Sequence, residues 1–110
     1  MPSLGRAFFT GASGKTYRFR VFALGTRFRK RSGVYAVTSR TGNANGGARH
    51  VILYVGQTED FSEPFAKHGK ADAVTERGAD CICVLSDGSQ ESRLAKQNDL
   101  VAAFHPVCND

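Results

Sequence analysis

A chain of 110 residues has room for one domain with a single modest core and not for two. Its 41% hydrophobic and 23% charged residues are ordinary for a globular protein, and no apolar run nears the roughly 20 residues that span a bilayer. Ala7-Phe8-Phe9 is too short for the core of a signal peptide, so a cytoplasmic protein with no membrane partner is expected. The net charge is +5, and Arg18, Arg20, Arg27, Arg29, Lys30 and Arg31 crowd into one short stretch. That density fits either an electrostatic footprint for a polyanion or the solvated face of a sheet.

The first predicted unit is a β-hairpin built from residues 7–10, a turn at Gly11-Ala12-Ser13-Gly14, and residues 16–22. Strict alternation in Tyr17-Arg18-Phe19-Arg20-Val21 turns Tyr17, Phe19 and Val21 inward and both arginines outward. Arg27-Phe28-Arg29 briefly repeats the theme. A second hairpin joins residues 33–38 to 50–57 across a loop at 40–49, where Gly42, Asn43, Asn45, Gly46 and Gly47 supply turn chemistry. Val51, Ile52, Leu53 and Val55 read as a central strand covered on both faces. Ser62 is placed to cap a helix with Glu63 and Pro64 in its first turn, Phe65 and Ala66 inward and Lys67 outward.

Residues 70–77 predict a short helix ended by Gly78, and residues 79–85 a further strand. Cys81 and Cys83 alternate with Ile82 and Val84 on that strand. With Cys108 they make an odd count that lacks C-x-x-C spacing, so buried reduced thiols are expected and no metal site. The longest helix covers residues 89–104, with Asp87 and Gln90 at capping-box spacing and Pro106 as its stop. Leu94, Leu100, Val101 and Phe104 form its expected buried stripe. The order gives an α+β fold with a small, mostly antiparallel sheet flanked by helices.

Gly33-Val34-Tyr35 and Tyr54-Val55-Gly56 each set a tyrosine and a glycine on a strand, and the second hairpin brings the two phenols to one place. The same order continues with Gln57-Thr58, Asp60-Phe61, His68, Arg93, Asp99-Leu100, and Pro106 followed by Asn109. Over about residues 32–109 this set resembles the GIY-YIG nuclease family. The segment from Phe9 to Lys15 with Tyr17 resembles the hairpin that precedes the motif in one group of small bacterial members. The resemblance implies residues 1–31 as a β-hairpin extension packed on a GIY-YIG-like domain at 32–110, together one globular unit.

It further implies phosphodiester hydrolysis with one divalent metal, Mg2+ or Mn2+, and a nucleic-acid partner, DNA in the first instance. Tyr35 would act as general base or position water, with Tyr54 and His68 around the phosphate. The tyrosines could instead be strand-packing aromatics, and His68 a helix C-terminal residue favoured by the macrodipole. Two family positions depart: Pro64 stands where the family has an arginine, and Gln97 where it has a metal-binding glutamate. Proline offers no donor, and glutamine lacks the charge that holds a hard cation. Losing one preorganised donor costs about 10²- to 10³-fold in rate.

The expectation is therefore a GIY-YIG-like domain impaired in catalysis that binds nucleic acid through a basic face. Arg18, Arg20, Arg27, Arg29, Lys67, Lys70, Arg93 and Asn109 are the candidate contacts. The alternatives are an active nuclease using Asp60 or Glu63 and Lys67 or Lys70 as substitutes, and a protein-interaction module on the same fold.

Overall fold

The computed structural model describes residues 3–42, 48–63, 65 and 68–109. Strands β1 (Gly5–Thr10) and β2 (Thr16–Ala23) form the first hairpin, and β3 (Gly33–Gly42) and β4 (Ala48–Thr58) the second. Helix α1 (Ala71–Glu76), strand β5 (Cys81–Ser86) and helix α2 (Gln90–Phe104) follow. The sheet runs β1-β2-β5-β3-β4 with every neighbouring pair antiparallel, so the chain is α+β. Because β2 pairs with β5, the N-terminal hairpin continues the same sheet. Among the described residues no helix is long and apolar enough to cross a membrane.

The central strand is β5, and β4 is an edge. The apolar run that pointed to a central position reflects burial of both faces of this edge strand, Ile52 and Val55 in one core and Leu53 in the other, while Val51 is 55% exposed. The outer edge of β4 is covered by the C-terminal segment: Cys108 N donates to the Leu53 carbonyl, while the Asn109 amide both accepts from Val55 N and donates to Val55 O, each at 2.8 Å. This side chain imitates a neighbouring strand and satisfies an edge that would otherwise invite another chain. A bulge sits where Val37 pairs with Tyr54 and Thr38 with Ile52, leaving Leu53 as the extra residue.

Alternation along the strands makes two cores. On one face Phe19, Val21, Val34, Ala36, Val55 and Cys83 meet Leu100 of α2; on the other Phe22, Tyr35, Val37 and Ile82 meet Phe61 and Val74. The three cysteines are free and buried, and burial pushes the Cys83 thiol up to about 12.

The phase of α2 differs from the expected stripe. Leu94 and Phe104 are each 41% exposed, whereas Leu100 and Arg93 are buried. The inward line passes through Arg93, a position whose charge hid it from a hydrophobic pattern. The cap also differs: Ser89 is the N-cap and accepts from Ser92 N. Asp87 instead accepts from Ser89 N, Ser92 Oγ and, at 2.6 Å, Lys96 Nζ. The hydrogen bond from Lys96, then those from Ser92 and Ser89, hold its carboxyl far below the usual carboxylate range.

A depressed acid stabilises the fold above its unfolded value of about 3.9, and that contribution fades as pH falls toward the folded value. Thermal melts between about pH 6 and pH 2 should therefore show Asp87→Asn less stable than the parent at neutral pH. The difference should be on the order of 1 kcal/mol or less, as for a solvent-screened pair, and should shrink on acidification. A constant difference would contradict this.

Asp99 ties the first hairpin to α2, accepting from Ser13 N at 2.8 Å, Ser13 Oγ at 2.7 Å and Tyr17 Oη at 2.7 Å. Gly11 leaves the space this carboxylate fills, since a side chain there would collide with it. In the segment after β4, Ser62 N and Oγ both donate to Asp60 Oδ1, an Asx-type turn rather than a helix cap. Pro64, Ala66 and Lys67 of the helix expected there, and the tip of the second hairpin at 43–47, lie outside the described residues.

Candidate functional face

The two tripeptides acquire their meaning from the pairing of β3 with β4. Tyr35 stands opposite Gly56, and a Cβ added at Gly56 would lie 2.6 Å from both Tyr35 Cζ and Oη. The phenol lies across the glycine. Gly33 plays the same part for Phe61, whose ring would be 2.6 Å from an added Cβ. The middle residues, Val34 and Val55, point to the opposite face and are fully buried. Each tripeptide thus holds one core valine, one tyrosine on the second face and one glycine that makes room for a ring.

Four rings meet there. The centroids of Tyr35 and Tyr54 are 6.0 Å apart, those of Tyr54 and His68 5.2 Å, and Phe65 stacks on His68 at 5.0 Å and 14°. The chain thus brings together Tyr35, Tyr54 and His68, and it adds Phe65, which the sequence offered only as an inward helix residue. Tyr35 is 6% exposed, and burial, followed by the neighbouring Tyr54, raises its phenol above the usual range. The group stays protonated, which opposes service as a general base near neutral pH. His68 lies in the turn leading into α1, after Phe65, whose carbonyl accepts from His68 N. The backbone N–H of Lys70 donates to His68 Nδ1 at 3.0 Å. With that nitrogen accepting, Nε2 carries the proton, and burial, then Lys70, lower the imidazole's affinity for a second one.

The basic residues of the first hairpin share this face. Arg6 pairs with Arg20, Arg20 with Val84, Val84 with Tyr35, and Tyr35 with Gly56, one transverse row across the sheet. Strands lie about 4.8 Å apart, so β2 and β3, separated by β5, are roughly 10 Å from each other. Arg18 pairs with Phe8 alongside, and Phe8 is 63% exposed. Arg6, Arg18 and Arg20 are exposed, and the Arg20 guanidinium sits 5.6 Å from the centroid of the Phe22 ring. Arg6 was missed in the sequence; the hairpin register set by the Gly11–Gly14 turn was the signal that could have found it.

Other candidates stand elsewhere. Arg93 is 3% exposed, and its guanidinium donates to Gln57 Oε1 at 2.9 Å and to the Asp87 carbonyl at 3.2 Å. It is turned to protein partners, as Asn109 is to Val55. Arg29 is exposed between β2 and β3, Lys70 is half-buried just before α1, and Arg27 lines a cavity beside Tyr35. Gln97 is half-buried on α2, the helix that seats Leu100 on the face opposite Tyr35. Pro64 and Lys67 are outside the described residues.

The cavity measures about 530 Å³. Tyr35 and Ile82 form its floor, residues 25–28 one wall, and Asp60, Phe61, Phe65 and His68 much of the other. Among the described residues no group of three or more His, Cys, Asp or Glu side chains converges where a cation could be held. Two phenols and a neutral imidazole do not fit the oxygen-rich, carboxylate-based shell that Mg2+ or Mn2+ prefers. Compared with known proteins, the chain matches no family model, no curated protein and no solved structure.

Proposed function

We propose that this chain is a GIY-YIG-type domain that binds nucleic acid, DNA in the first instance, through the face carrying Tyr35, and that its cleavage chemistry is impaired. The observation that carries the reading is one sheet face on which Arg6, Arg18 and Arg20 adjoin the rings of Tyr35, Tyr54 and His68. Guanidinium groups a few strand spacings from a cluster of phenols and imidazole suit a phosphate backbone, which they would meet with charge-assisted hydrogen bonds. Impairment is supported by the uncharged Pro64 at one departing position, while Gln97, at the other, stands on the helix packed across the sheet from Tyr35. The raised Tyr35 phenol supports it too, as does the lack, among the described residues, of a cluster of three or more His, Cys, Asp or Glu side chains that could hold a cation.

The test is a fluorescence-anisotropy titration of a labelled duplex across salt concentrations. Binding that weakens steeply with salt is expected, since each neutralised phosphate adds about −0.9 to the slope of log K against log salt. Absence of affinity at low salt would overturn the reading.

A further inference from the structure

The cavity lined by Tyr35 and Ile82 does not include Arg6, Arg18 or Arg20, yet it shares Tyr35 with the row that ends in Arg20 and Arg6. We propose that it receives a single unpaired nucleobase, so that the chain prefers nucleic acid with an unstacked nucleotide over a continuous duplex. This rests on the nucleic-acid reading above and adds the kind of substrate to it.

Three observations carry the inference. The first is size: about 530 Å³ lies within the range of roughly 300–1,000 Å³ typical of sites for small organic ligands. A phosphate alone would leave it mostly empty, and a base pair within a duplex cannot reach between two loops.

The second is the chemistry of the walls. Phe28 and Phe61 pack against one another at 6.0 Å on the lining, and with Tyr35, Phe65 and His68 they make it aromatic. Rings of this kind accept the face of any base. Asp60 contributes a carboxylate to the wall, and its Oδ1 already accepts from Ser62. That carboxylate can accept a hydrogen bond from the exocyclic amino group of adenine or cytosine.

The third is position. Tyr35 belongs both to the cavity floor and to the transverse row that ends in Arg20 and Arg6, and Arg27 stands at the cavity wall. A backbone held along the row would therefore carry one of its bases past the opening. Farther along the same face, the exposed Phe8 beside Arg18 offers a second stacking surface. Exposed rings interleaved with guanidinium groups are the pattern of single-strand binders.

The experiment uses the full chain and three labelled DNAs of one length: a paired duplex, the same duplex with one unpaired nucleotide, and a single strand. In the last two a 2-aminopurine occupies the unpaired position. Unpaired DNA should bind about 5- to 100-fold more tightly than the duplex, the scale of one stacked base, and the 2-aminopurine fluorescence should be quenched on binding. Phe28→Leu, which keeps volume but removes the ring face, should lose both the preference and the quenching while its melting curve stays cooperative.

Equal affinity for paired and unpaired DNA, with no quenching in the parent protein, would overturn the base site and leave the arginine face standing. Failure to bind any of the three would overturn both readings. Retained preference and quenching in a folded Phe28→Leu would assign the stacking elsewhere and overturn this cavity.

Discussion

Gly33→Ala is expected to cost about 3 kcal/mol of stability, toward the upper end of what overpacking a dense core costs. An added Cβ would collide with the Leu85 carbonyl of the neighbouring strand and lie 2.6 Å from the Phe61 ring. One obstacle is backbone in the middle of a sheet, at a strand paired on both sides, so it cannot step away without breaking the pairing of β3 with β5. The other is a buried ring that packs against Phe28. Against the 5–15 kcal/mol by which domains are typically stable, that loss should bring the urea midpoint down sharply.

Gly56→Ala makes an informative contrast. Its Cβ would meet only the Tyr35 side chain among its nearest neighbours. That ring can tilt, so the cost should be about 1–2 kcal/mol, with disturbance concentrated at the site. Equal midpoints for Gly33→Ala and the parent would show that the strands are not paired as described.

Replacing Arg6, Arg18 and Arg20 together by Gln is expected to reduce DNA affinity by roughly 10²- to 10³-fold near 0.1 M salt. Three lost phosphate contacts at about 0.9 each should also make the log–log salt slope shallower by between 2 and 3. All three side chains are exposed on the first hairpin, so the melting temperature should hardly move. Arg93→Gln should do the reverse. Its guanidinium is buried and engaged with Gln57 and the Asp87 carbonyl, so stability should fall while the salt slope stays put. If Arg93→Gln alone flattened the slope, the basic surface would have to be redrawn around α2.

The fold was largely readable in the sequence because local signals agreed with the tertiary outcome. Alternation in Tyr17 to Val21 gave β2 its faces, Gly78 with φ of 84° ended α1, and Pro106 followed α2. The failures share one cause: a long-range partner replaced the neighbour that pattern reasoning assumes. β4 looked central because both its faces are buried, Ile52 and Val55 in one core and Leu53 in the other, where Cys108 joins it from more than fifty residues away in sequence. The stripe of α2 was misplaced because a buried arginine finds its acceptors on β4 and before the helix.

Tyr35, Tyr54 and His68, whose rings the fold brings together, were singled out by their likeness to the GIY-YIG pattern. Arg6 was not, because one arginine in a short strand acquires meaning only from its register with Arg20 and Tyr35. The cavity was invisible, for its walls come from two loops with no periodicity to read.

The most direct test of the central claim is supercoiled plasmid incubated with the protein, in Mg2+ and then Mn2+, and run on a native gel beside Tyr35→Phe. Binding without cutting predicts retarded plasmid at low salt, release at high salt, and no gain of open circles. Open circles that form with metal and vanish in Tyr35→Phe would mean a working nuclease, and plasmid that is never retarded would mean that this face does not bind DNA.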